Sequence, residues 1–156
     1  MTTYYEDIET GDTEEYGERE VTKQEMMEFA EKYDPQPFHI DEEAARESFF
    51  GELIASGWFT ASVVMRMTVE HGIDDRASMG ALGVGDLRWH RPVYPGDTLS
   101  VRDEVVEKEP RDEKTGIVRY EKEVLNQDGK VVMSMEPMVL FERTRNDSGG
   151  NGRKDD

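Results

Sequence analysis

Residues 33–62 read YDPQPFHIDEEAARESFFGELIASGWFTAS. Asp34 and His39 stand close together near its start, with Pro35 and Pro37 between them. Each proline fixes its own φ, so this loop loses backbone freedom before anything binds to it. Ser56-Gly57 then opens the most apolar segment of the chain, Trp58 to Val69, in which Arg66 is the first charge. Trp58, Phe59, Ala61, Val63, Val64, Met65, Met67 and Val69 cover most of a helical circumference. That pattern predicts a helix buried nearly all round. The β-branched valines favour a strand, but the Ser-Gly start, the His71-Gly72 stop and a length of about fourteen residues favour the helix. Asp34 and His39 are therefore expected on a stiff loop facing the N-terminal end of a buried helix.

Upstream, residues 1–15 are acidic with few apolar anchors and are expected to be a partly ordered lead-in. Tyr16 to Val21 suits a short edge strand. Thr22 and Glu25 have the spacing of a capping box, which predicts a helix from about residue 23 to 32. It must end by Asp34, because Pro35 disfavours helical geometry at the residue before it. Asp41 is placed to cap a second short helix, Glu42 to Ser48.

Downstream of Gly72 the apolar period changes to two, which predicts strands. Leu82 to Arg91 slips phase at Gly85-Asp86, as a bulge does. Thr98 to Lys108 places Leu99, Val101 and Val105 on one face, and Ile117 to Leu125 does the same with Val118, Tyr120 and Val124. Asn126-Gln-Asp-Gly129 is a hairpin turn, followed by a strand over 130–142. Helices first and an antiparallel meander after them predict an α+β domain, with a curved sheet wrapped around one central helix. Residues 1–143 are expected to form that single domain, and the Gly-, Asn- and charge-rich tail 144–156 to be disordered.

Composition excludes several classes. There is no cysteine, hence no disulfide, thiolate zinc site or cysteine nucleophile. Three scattered histidines make no structural metal site, so none is expected. No glycine-rich phosphate loop follows a strand. The formal net charge is −17, so nucleic acid and anionic membrane are not expected partners. Seven lysines against twelve arginines, with so many acids, point to a halophilic chain whose self-repulsion is screened by salt. The acidic, polar N-terminus and the lack of a long apolar run make a cytoplasmic protein the expectation.

Asp34, Pro37, His39, Asp41, Phe50-Gly51, Ile54-Ala55 and Gly57 together resemble the hydratase signature of MaoC-like proteins, a family that includes (R)-specific enoyl-CoA hydratases. Arg91 to Leu99 is similar to the family's Pro-Gly-Asp turn into a long strand, and the turn at 126–129 is similar too. The resemblance implies the hot-dog fold and a homodimer or dimer of dimers. It places an active site where the loop meets the helix N-terminus. It implies Asp34 and His39 as the catalytic pair, Ser62 as the residue supporting their loop, and an acyl-CoA thioester as substrate. Coenzyme A is then part of the substrate, and no separate cofactor is implied. Ser56 stands where many members have His, and the wording Asp-Pro-Gln-Pro-Phe-His departs from the usual Asp-x-Asn-Pro-x-His. Both changes bear on the substrate.

The residue types suit adding water to a 2-enoyl thioester. A carboxylate and an imidazole can hold one water and move its proton. The backbone N–H groups of Gly57 and Trp58, at a helix start, are candidates for receiving the thioester oxygen. Each residue also has a plainer use. Asp34 suits a turn cap, His39 a packed loop histidine, and Ser62 a hydroxyl bonded back along its own helix. His71 suits the C-terminal end of its helix. The basic run Arg88-Trp89-His90-Arg91 suits coenzyme A phosphates or a solvated strand equally. A hot-dog thioesterase is the alternative enzyme, although it needs a carboxylate on the central helix and residues 57–65 carry none. A non-catalytic acyl-binding module is the third reading.

Overall fold

The computed structural model describes residues 2–72 and 76–144. In chain order the elements are β1 (Thr13–Glu20), α1 (Lys23–Tyr33), α2 (Pro37–Ile40), α3 (Glu42–Arg46), α4 (Gly57–Glu70), β2 (Ser78–Trp89), β3 (Thr98–Pro110), β4 (Thr115–Leu125) and β5 (Val131–Glu142). The strands form one antiparallel sheet in the order β1-β3-β4-β5-β2, so β1 and β2 are its edges. The α+β architecture expected from the change of period is the one observed. Among the described residues no helix is long and apolar enough to cross a membrane. The expected tail lies, from residue 145 onward, outside the described residues.

Local chemistry accounts for most boundaries. Thr22 Oγ1 accepts the Glu25 N–H at 3.2 Å while Glu25 accepts the Thr22 N–H at 2.8 Å, the reciprocal box that starts α1. Asp41 Oδ1 accepts the N–H groups of Glu43 and Ala44 and starts α3. The register of β2 against β5 shifts between Gly85 and Arg88, and Asp86 there has φ 44. That is the bulge the phase slip predicts. Gly129, at φ 73, closes the β4–β5 turn in a conformation only glycine adopts freely.

Two expectations are corrected. The lead-in is anchored: Tyr5 and Ile8 are buried with Val105, Val118, Tyr120 and Phe141. These two side chains suffice, because the outer part of the sheet offers them a pocket. Second, α4 is buried along one face rather than all round. Phe59, Val63, Val64 and Met67 pack on Leu99, Val101, Val124 and Met133 of the sheet. Trp58, Met65 and Val69 are 56%, 51% and 40% exposed on the opposite stripe. A single five-stranded sheet curves around only part of a helix, so a fully apolar helix leaves one flank uncovered in one chain.

The core also holds an ion pair that the alternation did not announce. Asp103 on β3 and Lys122 on β4 are register partners, and both point inward. Lys122 Nζ lies 2.9 and 3.0 Å from the two Asp103 oxygens. The Tyr16 hydroxyl donates to Asp103 Oδ2 at 2.7 Å and accepts from Lys122 at 2.9 Å. Burial pulls the Lys122 ammonium below its usual pKa, against the opposing pull of Asp103.

Candidate active site

The Asp34 N–H donates to Ala30 O at 2.8 Å, which makes Asp34 the end of α1. Pro37 occupies the first position of α2, where its fixed φ suits a helix and its missing N–H costs nothing. The stiff loop expected here is therefore partly a single helical turn, and that turn carries His39 inward. The imidazole is buried, edge-on to Phe38. Its Nδ1 lies 2.8 Å from Ile54 O. A carbonyl only accepts, which assigns the proton to Nδ1 and leaves the lone pair on Nε2.

His39 Nε2 lies 3.3 Å from Asp34 Oδ2. The same Oδ2 accepts the Ser56 hydroxyl at 2.7 Å, and Asp34 Oδ1 accepts Gln36 Nε2 at 2.7 Å. Burial pushes the Asp34 carboxyl up, but the Gln36 and Ser56 hydrogen bonds and the neighbouring His39 outweigh it and hold it below the usual carboxylate range. Ser56 is completely buried and does two jobs: it donates to Asp34 and accepts the Trp58 N–H at 3.2 Å as the cap of α4. The segment carrying Asp34 and His39 and the helix start are thus tied together by one hydroxyl.

Two assignments change. Ser62 does not support the loop: it is exposed, and its hydroxyl donates to Trp58 O at 2.8 Å within α4. Ser56 does so instead, because the cap lies beside α2 while Ser62 is more than a turn further along. The Trp58 N–H is taken by Ser56, so of the two expected donors only the Gly57 N–H is without a hydrogen bond among the described residues. The glycine itself has a packing reason. A Cβ on Gly57 would overlap the Trp89 indole, whose Nε1 donates to Gly57 O at 3.0 Å. Gly57→Ala is expected to lose about 1–3 kcal/mol through this overlap, and Gly57→Ala with Trp89→Leu to regain most of it. Thermal melts of the two variants check this. An unshifted midpoint for Gly57→Ala would remove the packing explanation.

The other singled-out residues lie elsewhere. His71 stacks on Tyr16 at the far end of α4, with Nε2 3.3 Å from Glu14. Arg88 pairs with Asp86 at 2.6 Å, and His90 Nε2 meets the Ser134 hydroxyl at 2.7 Å. An apolar cleft of about 320 Å³ runs between the flank of α4 (Ala61, Met65, Thr68) and β2 and β5 (Val84, Met135, Val139). Neither Asp34 nor His39 lines it.

Residues 8–126 match the signature described as the MaoC like domain. The chain belongs to the MaoC-like domain family. A MaoC-like dehydratase from Rhodospirillum rubrum superposes with a TM-score of 0.83 at 38% identity, over 90% of this chain and 97% of that one. The R-hydratase PhaJ1 from Pseudomonas aeruginosa gives a TM-score of 0.71 at 27% identity, over 92% and 88% of the two chains. A 3-hydroxybutyryl-CoA dehydratase of Methylorubrum extorquens is 32% identical over 109 residues, 69% of this chain and 66% of that protein. The MaoC-like chain has the hot-dog fold, with the sheet folded around α4 as the resemblance implies. The relatives named here are hydratases and dehydratases.

Proposed function

We propose that this MaoC-like protein is a hydro-lyase that adds water reversibly across the double bond of a 2-enoyl-CoA thioester. The observation that carries the reading is the contact of Asp34 with His39 Nε2, the one imidazole nitrogen not committed to the backbone. The two groups touch, so a water that meets both sits alongside the pair rather than between them. In the hydration direction that water loses a proton to the pair as its oxygen bonds Cβ. A proton is then returned to Cα, and the enolate charge that develops on the thioester oxygen falls to the free Gly57 N–H at the positive end of α4. No cofactor enters this scheme.

The working unit in this reading is a homodimer. The exposed Met65 of α4 and Val84 of edge strand β2 line one apolar cleft. A second copy that covers this cleft encloses it, which gives the acyl chain a place out of water.

Absorbance of crotonyl-CoA and of branched enoyl-CoA thioesters tests the activity. Loss of the enoyl absorbance without thiol release is the expected result. Thiol release indicates a thioesterase, and binding without turnover an acyl-binding module; either outcome overturns the proposal. The bare α4 start, with no carboxylate between 57 and 65, stands against the thioesterase.

A further inference from the structure

The chain carries a strong negative charge, and nearly every described arginine is spent on a carboxylate. Arg19, Arg46, Arg66, Arg76, Arg88, Arg102, Arg111, Arg119 and Arg143 each lie within ion-pair distance of an Asp or Glu. Arg91 is the exception among the described residues. It lines an open depression of about 570 Å³ with Lys130, which is likewise unpaired, and with His90 and Ser134. Glu123 also borders the depression, but it is held by Arg102 through two guanidinium nitrogens. A protein with a net charge of −17 leaves two adjacent cations unneutralised at this place.

The depression lies at the same end of the molecule as Asp34 and His39. β2 ends at Trp89, whose indole rests on Gly57. Arg91 is two residues further, which is at most about 7 Å of chain. The N–H groups of His90 and Arg91 both point to Val132 O, at 2.8 and 3.4 Å, and this holds Arg91 beside Lys130 at the start of β5. Val93 O in turn accepts the Ala55 N–H at 2.9 Å, next to the Ile54 carbonyl that orients His39. The cations are therefore fixed by backbone bonds to the segment that builds the site.

We infer that Arg91 and Lys130, with His90 and Ser134, bind the phosphates of the 3′-phosphorylated adenine nucleotide that carries the acyl group. This rests on the hydratase reading above, since only a thioester carrier with a nucleotide end supplies such phosphates. The chemistry matches: a guanidinium grips two phosphate oxygens at once, an ammonium adds a point charge, and a hydroxyl and an imidazole add hydrogen bonds. The site also decides between carriers. An acidic carrier protein would bring an extended anionic surface against an anionic surface, whereas a compact polyphosphate on a flexible arm reaches two local cations and leaves the rest of the field at a distance.

The test compares crotonyl-CoA with crotonyl-pantetheine, which has the same reacting atoms and no nucleotide. In Arg91→Gln/Lys130→Gln the KM for crotonyl-CoA is expected to rise about tenfold or more with kcat little changed, and the KM for crotonyl-pantetheine to stay as in the wild type. Adenosine 3′,5′-bisphosphate is expected to bind the wild type by calorimetry and to lose that affinity in the double variant. An unchanged KM for crotonyl-CoA in the variant, or equal losses on both thioesters, overturns the assignment. If the wild type hydrates neither thioester the hydratase reading fails by itself. The calorimetry then still decides the site, with loss of bisphosphate binding in the variant supporting it and no binding to the wild type overturning it.

Discussion

Asp34→Ala and His39→Ala are each expected to lower hydration of crotonyl-CoA by about 100- to 10,000-fold, with the fold retained. The magnitude is that of losing a positioned proton-transfer group. In the proposed reaction each residue has a distinct task. His39, held through Nδ1 by Ile54 O, offers Nε2 to the proton; Asp34 keeps that nitrogen and the water in place. Because the two act on one water, the double variant is expected to lose little more than either single one. Retention of fold follows from position: the pair lies beyond the end of α1 and contributes no large apolar side chain to the cluster under α4. Circular dichroism and the elution volume of each variant check that retention. The pH dependence has a definite sign. The Asp34 carboxyl is held below its ordinary range, so it is ionised at and above the ordinary carboxylate pKa. Activity that needs the carboxylate, and the stability it contributes, are present there and disappear only as pH falls through the lowered value. Wild-type turnover in Asp34→Ala/His39→Ala would leave the proposal without its chemistry.

Asp103→Leu is expected to cost about 3–5 kcal/mol, a large part of the roughly 5–15 kcal/mol that holds a domain of this kind together. The substitution leaves the buried Lys122 ammonium without its ion-pair partner and the Tyr16 hydroxyl without its acceptor. Lys122→Met is expected to be similarly costly for the opposite reason, since a buried carboxylate then has one partner fewer. The combined Asp103→Leu/Lys122→Met is expected to recover most of the loss, because paired charges taken from water gain little over well-packed apolar side chains. Urea unfolding of the three variants gives the cycle. Additive losses, with the double variant worst of all, would show that the pair acts through something other than mutual neutralisation.

Much of the fold is legible in the chain. The capping box at Thr22 and Glu25, the apolar density of 58–69, the phase slip at Gly85-Asp86 and the turn at 126–129 each translate directly into an observed element. All are short-range signals, set by the period of a helix or strand or by the dihedral needs of a few residues. The site is less legible. Spacing brings Asp34 and His39 within a few residues of each other, and the two prolines stiffen what lies between. Nothing in that spacing selects Ser56 over Ser62 as the partner of Asp34, or reveals that Trp89 covers Gly57. The inner face of β3 shows the same limit. Asp103 is in phase with Leu99, Val101 and Val105, yet a charge in that phase reads as outward until Lys122 is seen opposite it.

The sequence by itself determined most of the elements, their order and the stiff acid–imidazole segment ahead of an apolar helix, because these depend on neighbours a few residues apart. Only the tertiary structure decided which hydroxyl meets Asp34, which nitrogen of His39 is left to work, where a charge is tolerated inside and which flank of α4 stays open. A polar side chain is satisfied by whatever group the fold brings within about 3 Å, and that group lies tens of residues away along the chain.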